Sequence, residues 1–574
     1  MKFAKLRKSL AVTLAAAMCL TAATTAMASA EGNKPSGSPP AGAVNGAPPS
    51  GGGAPGGGAD TMTYDYGGEL SGVLTADGTD KTSDGETYST DTADQNAALA
   101  ENGGTLTATN GSFAKSGDDA NGDNCNFYGI NSIVLAVGDG TAAYISGSGL
   151  TADSEGSNGI FATDDAAVYA NSDTITTTAS NSRGLDATYG GTIIANAMDI
   201  STSGDHCAAI ATDRGGGSIS VTNSSLKTAG SGSPLLYSTG DIEVDNATGT
   251  STGSQIAGME GLNTILIYNS SLESTVAKAS ASDPIADGII MYQSTSGDAE
   301  AATGETAVFQ AVDSTLKSAI ESGAMFYLTN TRANILLSGT TLDFDSDKAN
   351  LLTVQGNNSN NWGTAGSNGA AVTFTALGET LGGNIDVDTI SSLNLYLLDG
   401  TVYTGAIAIS QNAVNTSASD SPVTVNIGGD SKWIVTANST VTNLNAADGA
   451  AIVDAEGKTV TIVANGKTVV SGNSAYTVTV VGGYTNTVTV GDANAVSTEY
   501  IDRTQFDKYY AVETAFSSNT AAAAVPDSEE AAADTGDNTQ NSRRFVYAAI
   551  AAAVLGAAGI YVYKRSRGDE DNED

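Results

Sequence analysis

The stretch from Gly159 to Thr178, GIFATDDAAVYANSDTITTT, decides the fold because its pattern returns along the chain. Each copy contains a short apolar strand, a turn rich in Gly and Asp, a second alternating strand, an Asn and a third strand. Four further copies begin at Gly184, Ala209, Leu235 and Ile256. A repeat of about 24 residues with three strands predicts one coil of a β-solenoid, whereas a propeller blade or an immunoglobulin-type domain needs a longer unit.

An asparagine occupies a similar place in each copy. The five residues are Asn171, Asn196, Asn223, Asn246 and Asn269. Stacked coils lie ~4.8 Å apart, so their side-chain amides can hydrogen-bond to one another as a ladder. Asn also tolerates the left-handed backbone of a tight corner. We therefore predict a structural Asn ladder along one corner of the solenoid.

The N-terminal segment predicts export from the cell. Residues 1–30 begin with a basic segment, continue as a short apolar run and end in small residues, as a cleavable signal peptide does. Residues 31–60 are rich in Pro and Gly and are expected to form a disordered linker.

The C-terminal segment predicts a membrane anchor. The run Phe545–Tyr563 carries no charge and is long enough to cross a bilayer, so we assign residues 543–563 to a transmembrane helix. Residues 564–574 then form a cytoplasmic tail that begins with Lys564, Arg565 and Arg567, and the exported bulk of the chain lies outside the cell. This predicts a cell-surface protein held in the plasma membrane.

Between these ends lies the repetitive part of the chain. Residues 61–505 are assigned to the β-solenoid, with a possible β cap after residue 420, where the strands become richer in Val and Thr. Residues 506–542 are acidic and rich in Ala and are expected to form a stalk.

Charge and cysteine content exclude several classes of protein. The chain has a formal net charge of −39, which disfavours nucleic acid as a partner. After the signal peptide only Cys125 and Cys207 remain, so the domain is not a disulfide scaffold. We expect both thiols to be unpaired and buried.

Four segments resemble a known family. They are SRGLDATYGGTI at 182–193, CAAIATDRGGG at 207–217, SPLLYSTGDIEV at 233–244 and GDSKWIVTANSTVTNL at 429–444. They resemble adhesin-like surface proteins of anaerobic Gram-positive bacteria, which have a pectin-lyase-like fold, over about residues 90–445. The resemblance implies an all-β, right-handed parallel β-helix, here combined with one C-terminal transmembrane helix.

The C-terminal region also resembles a sortase signal, Leu-Pro-x-Thr-Gly. Asp534, Thr535 and Gly536 occupy its last three places, but Ala532 and Ala533 stand where Leu and Pro belong. We therefore favour retention in the membrane over covalent attachment to the cell wall.

The pectin-lyase-like fold also hosts polysaccharide lyases and glycoside hydrolases, so catalysis has to be considered. Asp164-Asp165 resembles a fragment of the polygalacturonase pattern, but its other elements are absent from the sequence. His206 is the single histidine, and no set of acid, base and stabilising group can be assembled around it. We predict a protein without catalytic activity and keep the enzyme as the alternative.

Two kinds of ligand site remain as candidates. Alternating carboxylates at Asp343, Asp345 and Asp347 share a strand face if that segment is extended, and their oxygen ligands suit Ca²⁺. Tyr189, Tyr237 and Trp362 have rings on which a sugar can stack.

These candidates predict a surface protein that binds glycans or other surfaces. No cofactor is expected, with Ca²⁺ at the three aspartates as the one candidate, and a passive surface-layer component is the remaining alternative.

Overall fold

The computed structural model describes residues 63–294, 299, 306–359, 362–417 and 422–516. The predicted signal peptide, linker, transmembrane helix and cytoplasmic tail lie outside the described residues. Within the described ranges, no helix has both the length and the apolar character needed to cross a membrane.

The described chain is almost entirely β-structure in long parallel sheets, which confirms the all-β repeat architecture. Strands are numbered in chain order, and each sheet takes every third strand of the repeat.

The first sheet has thirteen strands: β1 Gly72–Asp77, β4 Asn96–Glu101, β7 Val134–Val137, β10 Ile160–Thr163, β13 Leu185–Ala187, β16 Ile210–Thr212, β19 Leu236–Ser238, β22 Ala257–Glu260, β25 Asp287–Tyr292, β28 Ala324–Thr329, β31 Asn350–Val354, β34 Ile385–Asp388 and β37 Ile407–Ser410.

The second sheet has fifteen strands: β2 Lys81–Asp84, β5 Thr105–Thr109, β8 Ala142–Ser146, β11 Ala167–Asn171, β14 Thr192–Asn196, β17 Ser218–Thr222, β20 Asp241–Asp245, β23 Thr264–Tyr268, β26 Ala307–Val312, β29 Arg332–Ser338, β32 Ala371–Leu377, β35 Ser392–Leu398, β38 Val423–Ile427, β41 Asn443–Ala446 and β46 Tyr484–Thr485.

The third sheet has ten strands: β3 Thr87–Thr90, β6 Ser112–Lys115, β9 Gly149–Ala152, β12 Thr174–Thr177, β15 Asp199–Thr202, β18 Ser225–Thr228, β21 Thr248–Ser251, β24 Ser271–Ser274, β27 Thr315–Ser318 and β30 Thr341–Asp343.

Two four-stranded sheets form the remaining β-structure. One contains β33 Thr380–Gly382, β36 Val402–Thr404, β39 Lys432–Ile434 and β42 Ala451–Val453. The other contains β40 Ser439–Val441, β45 Thr477–Val480, β43 Thr461–Ala464 and β44 Lys467–Val470, with β43 and β44 antiparallel. The parallel stacking therefore continues past residue 420, and the antiparallel hairpin β43–β44 comes before the last parallel strands, β45 and β46.

The core is built from apolar side chains that stack on apolar side chains at the same position of the neighbouring coil. Ile193 on β14 pairs with Val168 below and Ile219 above, and Ile219 pairs with Ile242. All four side chains are fully buried. Inward-facing side chains of successive coils thus form apolar columns. Each coil is stabilised by the contacts that its side chains make with the two neighbouring coils.

The predicted Asn positions fall in two registers. Asn171 and Asn196 are the last residues of β11 and β14 and pair directly. Asn223, Asn246 and Asn269 come one residue later, at a corner with left-handed φ values of 53°, 53° and 46°. In the earlier coils Ser172 and Ala197 hold that left-handed corner.

Amide hydrogen bonds nevertheless run from coil to coil across the change of register. The Nδ2 group of Asn196 donates to Asn171 at 2.9 Å, that of Asn223 to Asn196 at 2.7 Å, and that of Asn246 to Asn223 at 2.6 Å. Asn269 donates instead to Asp245 at 2.7 Å.

Buried hydroxyl groups form a second ladder beside the Asn corner. Just after the corner, a side-chain oxygen of one coil accepts the backbone N–H of the coil before it. The bonds are Gly111 to Ser148, Ser148 to Asp173, Met198 to Ser224, Ala247 to Ser270, and Ser270 to Ser314. Each bond satisfies a backbone N–H group that has no strand partner because the chain turns at the corner.

A related ladder at the corner before the first sheet contains one thiol. Ser157 N–H donates to Ser182 Oγ, Ser182 N–H to Cys207 Sγ, and Cys207 N–H to Ser233 Oγ. Cys207 stands in a serine position, and burial raises its pKa to about 11. Both Cys125 and Cys207 are free and buried.

The C-terminal strap, residues 492–516, returns along the outer face of the second sheet. It contains a 3-10 helix, Asp492–Asn494, and α2, Thr504–Tyr510. Asn494 bonds Thr375 at 2.8 Å, while Tyr510 bonds the backbone oxygens of Ile145 and Tyr169 at 3.0 and 2.9 Å. The strap therefore spans the coils from β32 back to β8.

This packing corrects the predicted boundary between solenoid and stalk. Residues 506–516, which were assigned to the stalk, belong to the solenoid body: Phe506 is fully buried, and Phe516 packs against Tyr268. The remainder of the predicted stalk lies outside the described residues.

Candidate functional site

The outer face of the first sheet carries a continuous row of stacked side chains. From the N-terminal end the row is Leu99, Leu135, Phe161, Asp186, Ala211, Tyr237, Gly258, Ile290, Tyr327, Thr353 and Asp386. It is apolar at first, then charged, then aromatic. Different segments of the chain cover these three parts, and they give three distinct environments.

An open cavity lies at the N-terminal end of this face. The segment before β1 folds back over the sheet, where Tyr64 and Leu70 pack against Leu99, Leu135 and Phe161. The space beside this segment has a volume of about 600 Å³. Its walls include Tyr64, Tyr66, Glu69, Glu101, Asp139 and Asp164.

Tyrosine rings support one side of the cavity. The Tyr64 ring meets Tyr128 and Tyr189 edge to face, with centroids 5.5 and 5.7 Å apart. Tyr128 stacks on Tyr189 at 5.7 Å, and Tyr66 lies 5.2 Å from Tyr128. Tyr189 is only 7% exposed, so Tyr64 and Tyr66 supply the rings that face the cavity.

The carboxyl groups of the cavity have perturbed acidity. Burial raises the pKa of Asp164, and the charges of Asp165 and Asp139 raise it further. Burial and then the charge of Asp77 raise the pKa of Glu101. No Lys, Arg or His is among the cavity-lining residues in the described part of the chain. The cavity thus offers hydrogen-bond acceptors beside flat rings.

A buried ion cluster occupies the middle of the face. The Arg183 guanidinium lies 2.9 Å from Asp213, 3.4 Å from Asp186 and 2.7 Å from the amide oxygen of Asn126. Asn126 belongs to α1, Gly122–Tyr128, which closes over the cluster. Because Arg183 and Asp186 are almost completely buried, this cluster fixes α1 on the sheet and offers no open reaction site.

His206 lies at a corner with a left-handed φ of 58°. Burial and then the charge of Arg183 lower its pKa, which favours the neutral imidazole. The structure does not place a carboxylate, base and open space together around it within the described residues.

The third environment contains two of the predicted sugar-stacking residues. The hydroxyl groups of Tyr237 and Tyr292 donate to Glu260 at 2.8 and 3.2 Å. Trp362 stacks on Tyr292 with centroids 4.1 Å apart and is only 7% exposed. The structure therefore brings Tyr237 and Trp362 into one cluster, but the Trp362 ring is covered. Tyr189 lies apart, in the N-terminal cluster.

The predicted calcium ligands are not gathered. β30 ends at Asp343, and Asp345 instead accepts the backbone N–H of Asp347 at 3.2 Å and pairs with Lys348 at 3.3 Å. Across the described ranges, no group of three or more His, Cys, Asp or Glu side chains is placed to hold a metal ion.

Sequence reasoning missed the cavity because Tyr64 and Tyr66 precede the first recognisable repeat. The available signal was the alternation of Tyr, Asp and Tyr at 64–66, which is typical of an extended segment with both rings on one side. The chain matches no protein-family model, no curated protein and no solved structure.

Proposed function

We propose that this chain is a non-catalytic, adhesin-like surface protein that binds glycans in the N-terminal cavity. In this proposal the solenoid is a right-handed parallel β-helix of the pectin-lyase-like kind. Export by residues 1–30 and anchoring by residues 543–563 place it on the outside of the cell.

The observation that carries the proposal is the composition of the cavity wall. Sugars present apolar ring faces and hydroxyl donors, and binding sites for them combine flat aromatic rings with hydrogen-bond acceptors. Tyr64 and Tyr66 offer the rings, while Glu101 and Asp164 offer the acceptors. Weak binding at one such site gains strength when many copies on a cell engage one surface.

A glycan array with the purified full-length chain tests the proposal, with and without Ca²⁺. We expect selective binding that Tyr66→Ala weakens at least tenfold, because the ring contact is lost. Tyr396→Ala is the matched control, since Tyr396 lies partly exposed on the second sheet, away from the cavity. Equal binding by both variants would move the site elsewhere, and absence of binding to any glycan would favour the passive surface-layer alternative.

A second candidate, glycoside hydrolysis, has one supporting observation. Glu101 and Asp164 line the same open cavity, and both have raised pKa values, as a general acid requires. Release of reducing sugar that Glu101→Gln abolishes would establish the enzyme. Glycan binding without any product would leave the non-catalytic function in place.

A further inference from the structure

A groove lies beneath the C-terminal strap, separate from the N-terminal cavity. Its floor is the outer face of the second sheet, and its roof is the part of the strap between Asp492 and Ile501. Ser497 N–H bonds Gln310 at 2.8 Å, and Ile501 N–H bonds Glu243 at 2.8 Å. The strap is thus fixed along the groove, which encloses about 470 Å³.

The groove combines apolar walls with negative charge. Leu266, Val308 and Leu336 line its floor, and Ala493 and Ala495 line its roof. The acids on its walls are Asp241, Glu243, Asp492 and Glu499. Of the described residues that line it, none is Lys, Arg or His.

Glu243 is the most unusual of these acids. It is only 3% exposed, and its Oε1 atom accepts the Ile501 N–H, while Oε2 has no hydrogen-bond partner. A buried carboxylate oxygen without a partner is costly, and burial raises the pKa of Glu243 to about 7.

The Ser220 hydroxyl and the charge of Arg503 lower the pKa of Glu243, but burial outweighs both, so they offset only part of this cost. The guanidinium of Arg503 directs its N–H groups to Ala195 O, Ser220, Thr222 and Thr514, at 2.8 to 3.1 Å. Arg503 is therefore committed to the backbone and hydroxyl groups of the neighbouring coils and to Thr514 of the strap. An external cation would supply the missing partner.

We propose that the groove binds a primary ammonium group carried on an alkyl chain, with the ammonium at Glu243 and the chain along Leu266, Val308 and Leu336. The apolar walls select against a bare metal ion, and the acids select against anionic and neutral ligands. Lysine side chains and free alkylamines share this chemistry. Because Oε2 is sealed from solvent, the side chains around it must move aside for the ammonium to enter.

Isothermal titration calorimetry with the purified full-length chain at pH 8 tests this inference. The probes are pentylamine, N-acetyl-lysine methylamide and uncharged 1-pentanol. We expect both amines to bind and pentanol not to bind. Binding by pentylamine alone would restrict the site to free amines, and the shared ammonium chemistry would still hold.

Glu243→Gln keeps an oxygen for the Ile501 N–H but removes the charge, so we expect at least a tenfold loss of amine affinity. Glu273→Gln is the control, since Glu273 forms an exposed ion pair with Lys317 on the third sheet. For the wild-type chain, affinity should fall as the pH drops from 8 to 6, because protons compete for Glu243.

Three results would overturn the inference: equal affinity in both variants, equal binding of pentanol, or no heat with 10 mM amine. Circular dichroism of Glu243→Gln separates loss of the site from loss of the fold. Glycan binding by the N-terminal cavity is a separate measurement and can succeed or fail independently.

Discussion

At the scale of single residues, backbone conformation decides what each corner tolerates. Asn223 has a φ of 53° and is exposed, so its side chain contributes mainly by tolerating the left-handed region and by bonding Asn196. Other coils place Gly147 or Gly339 at this corner. This corner therefore requires a residue that tolerates the left-handed backbone conformation more than it requires a side-chain amide.

We predict that Asn223→Gly changes the free energy of unfolding little, whereas Asn223→Val lowers it by about 1–2 kcal/mol, because a β-branched residue is strained in the left-handed region. Urea unfolding followed by circular dichroism measures both. Equal loss in the two variants would instead assign the stability to the amide bonds of the ladder.

A second prediction concerns Asp173, an acid among the hydroxyl groups of the ladder described above. Its Oδ1 accepts the Ser148 N–H at 2.7 Å, but its Oδ2 is buried without a partner. Burial raises its pKa to about 7. Ser224 and Ser270 perform the same role in other coils without a charge.

We therefore expect Asp173→Ser to stabilise the protein by about 1–3 kcal/mol at pH 8. The raised pKa means that the folded state holds a proton which the unfolded state releases above about pH 4. The advantage of the variant should thus be near zero at pH 4, grow up to about pH 7 and then stay constant. Thermal unfolding from pH 4 to 8 measures it, and a constant difference would contradict the assignment.

The residue scale also shows what the sequence can and cannot predict. The columns through Ile193 and Ile219 follow from alternation, because a period of two places every second residue inside. The register change between Asn196 and Asn223 does not follow, because Ser172 and Ala197 hold the left-handed corner without any typical sequence signal.

At the scale of elements, Arg503 joins the strap to the coils by a set of buried hydrogen bonds. This side chain is 4% exposed and donates to Ala195 O, Ser220 and Thr222 on two neighbouring coils. Its stacking distance from Phe506 is 5.1 Å. Nothing in the repeat predicts this, since the strap follows the last repeat and its contacts join residues about 280 positions apart.

We predict that Arg503→Ala opens the strap and leaves the coils folded. Amide hydrogen exchange should accelerate in residues 492–516 by at least tenfold, because buried acceptors lose charged hydrogen bonds worth about 1.5–3 kcal/mol each. Lys508→Ala on the exposed side of α2 is the control. Faster exchange throughout the first sheet would show that the strap holds the solenoid itself together.

The same scale explains why the N-terminal cavity escaped sequence reasoning. Candidate residues were sought in the repeats, where the Trp362 ring proved to be covered by Tyr292 and the Tyr237 hydroxyl to be bonded to Glu260. The partly buried rings of Tyr64 and Tyr66, which line the cavity, lie on a segment that has no repeat of its own. Its position depends on long-range packing, which local patterns do not encode.

At the scale of the whole solenoid, stability is a sum over neighbouring coils. Ile219 lies in the middle of a column between Ile193 and Ile242, whereas Val478 lies in the sheet that contains the C-terminal hairpin. Both are fully buried. Their truncation should therefore have different consequences despite equal burial.

We predict that Ile219→Ala lowers the free energy of unfolding by about 2–5 kcal/mol, because a cavity in the middle of the stack separates two sets of coils. Val478→Ala should mainly speed hydrogen exchange in residues 439–485 and leave the central coils protected. Exchange followed by mass spectrometry distinguishes the two. Identical, global acceleration in both variants would indicate a single cooperative unit.

The position of Phe516 against Tyr268 also has a mechanical meaning. The chain leaves the solenoid from the side, beside β23, and not from its last coil. Tension on the chain beyond residue 516 therefore detaches Phe516 first, then α2 and then the rest of the strap. Once detached and fully extended, residues 492–516 span about 85 Å, and this length is released before any strand is drawn from a sheet. The strap thus acts as a reserve of length that yields under load while the stacked coils remain intact.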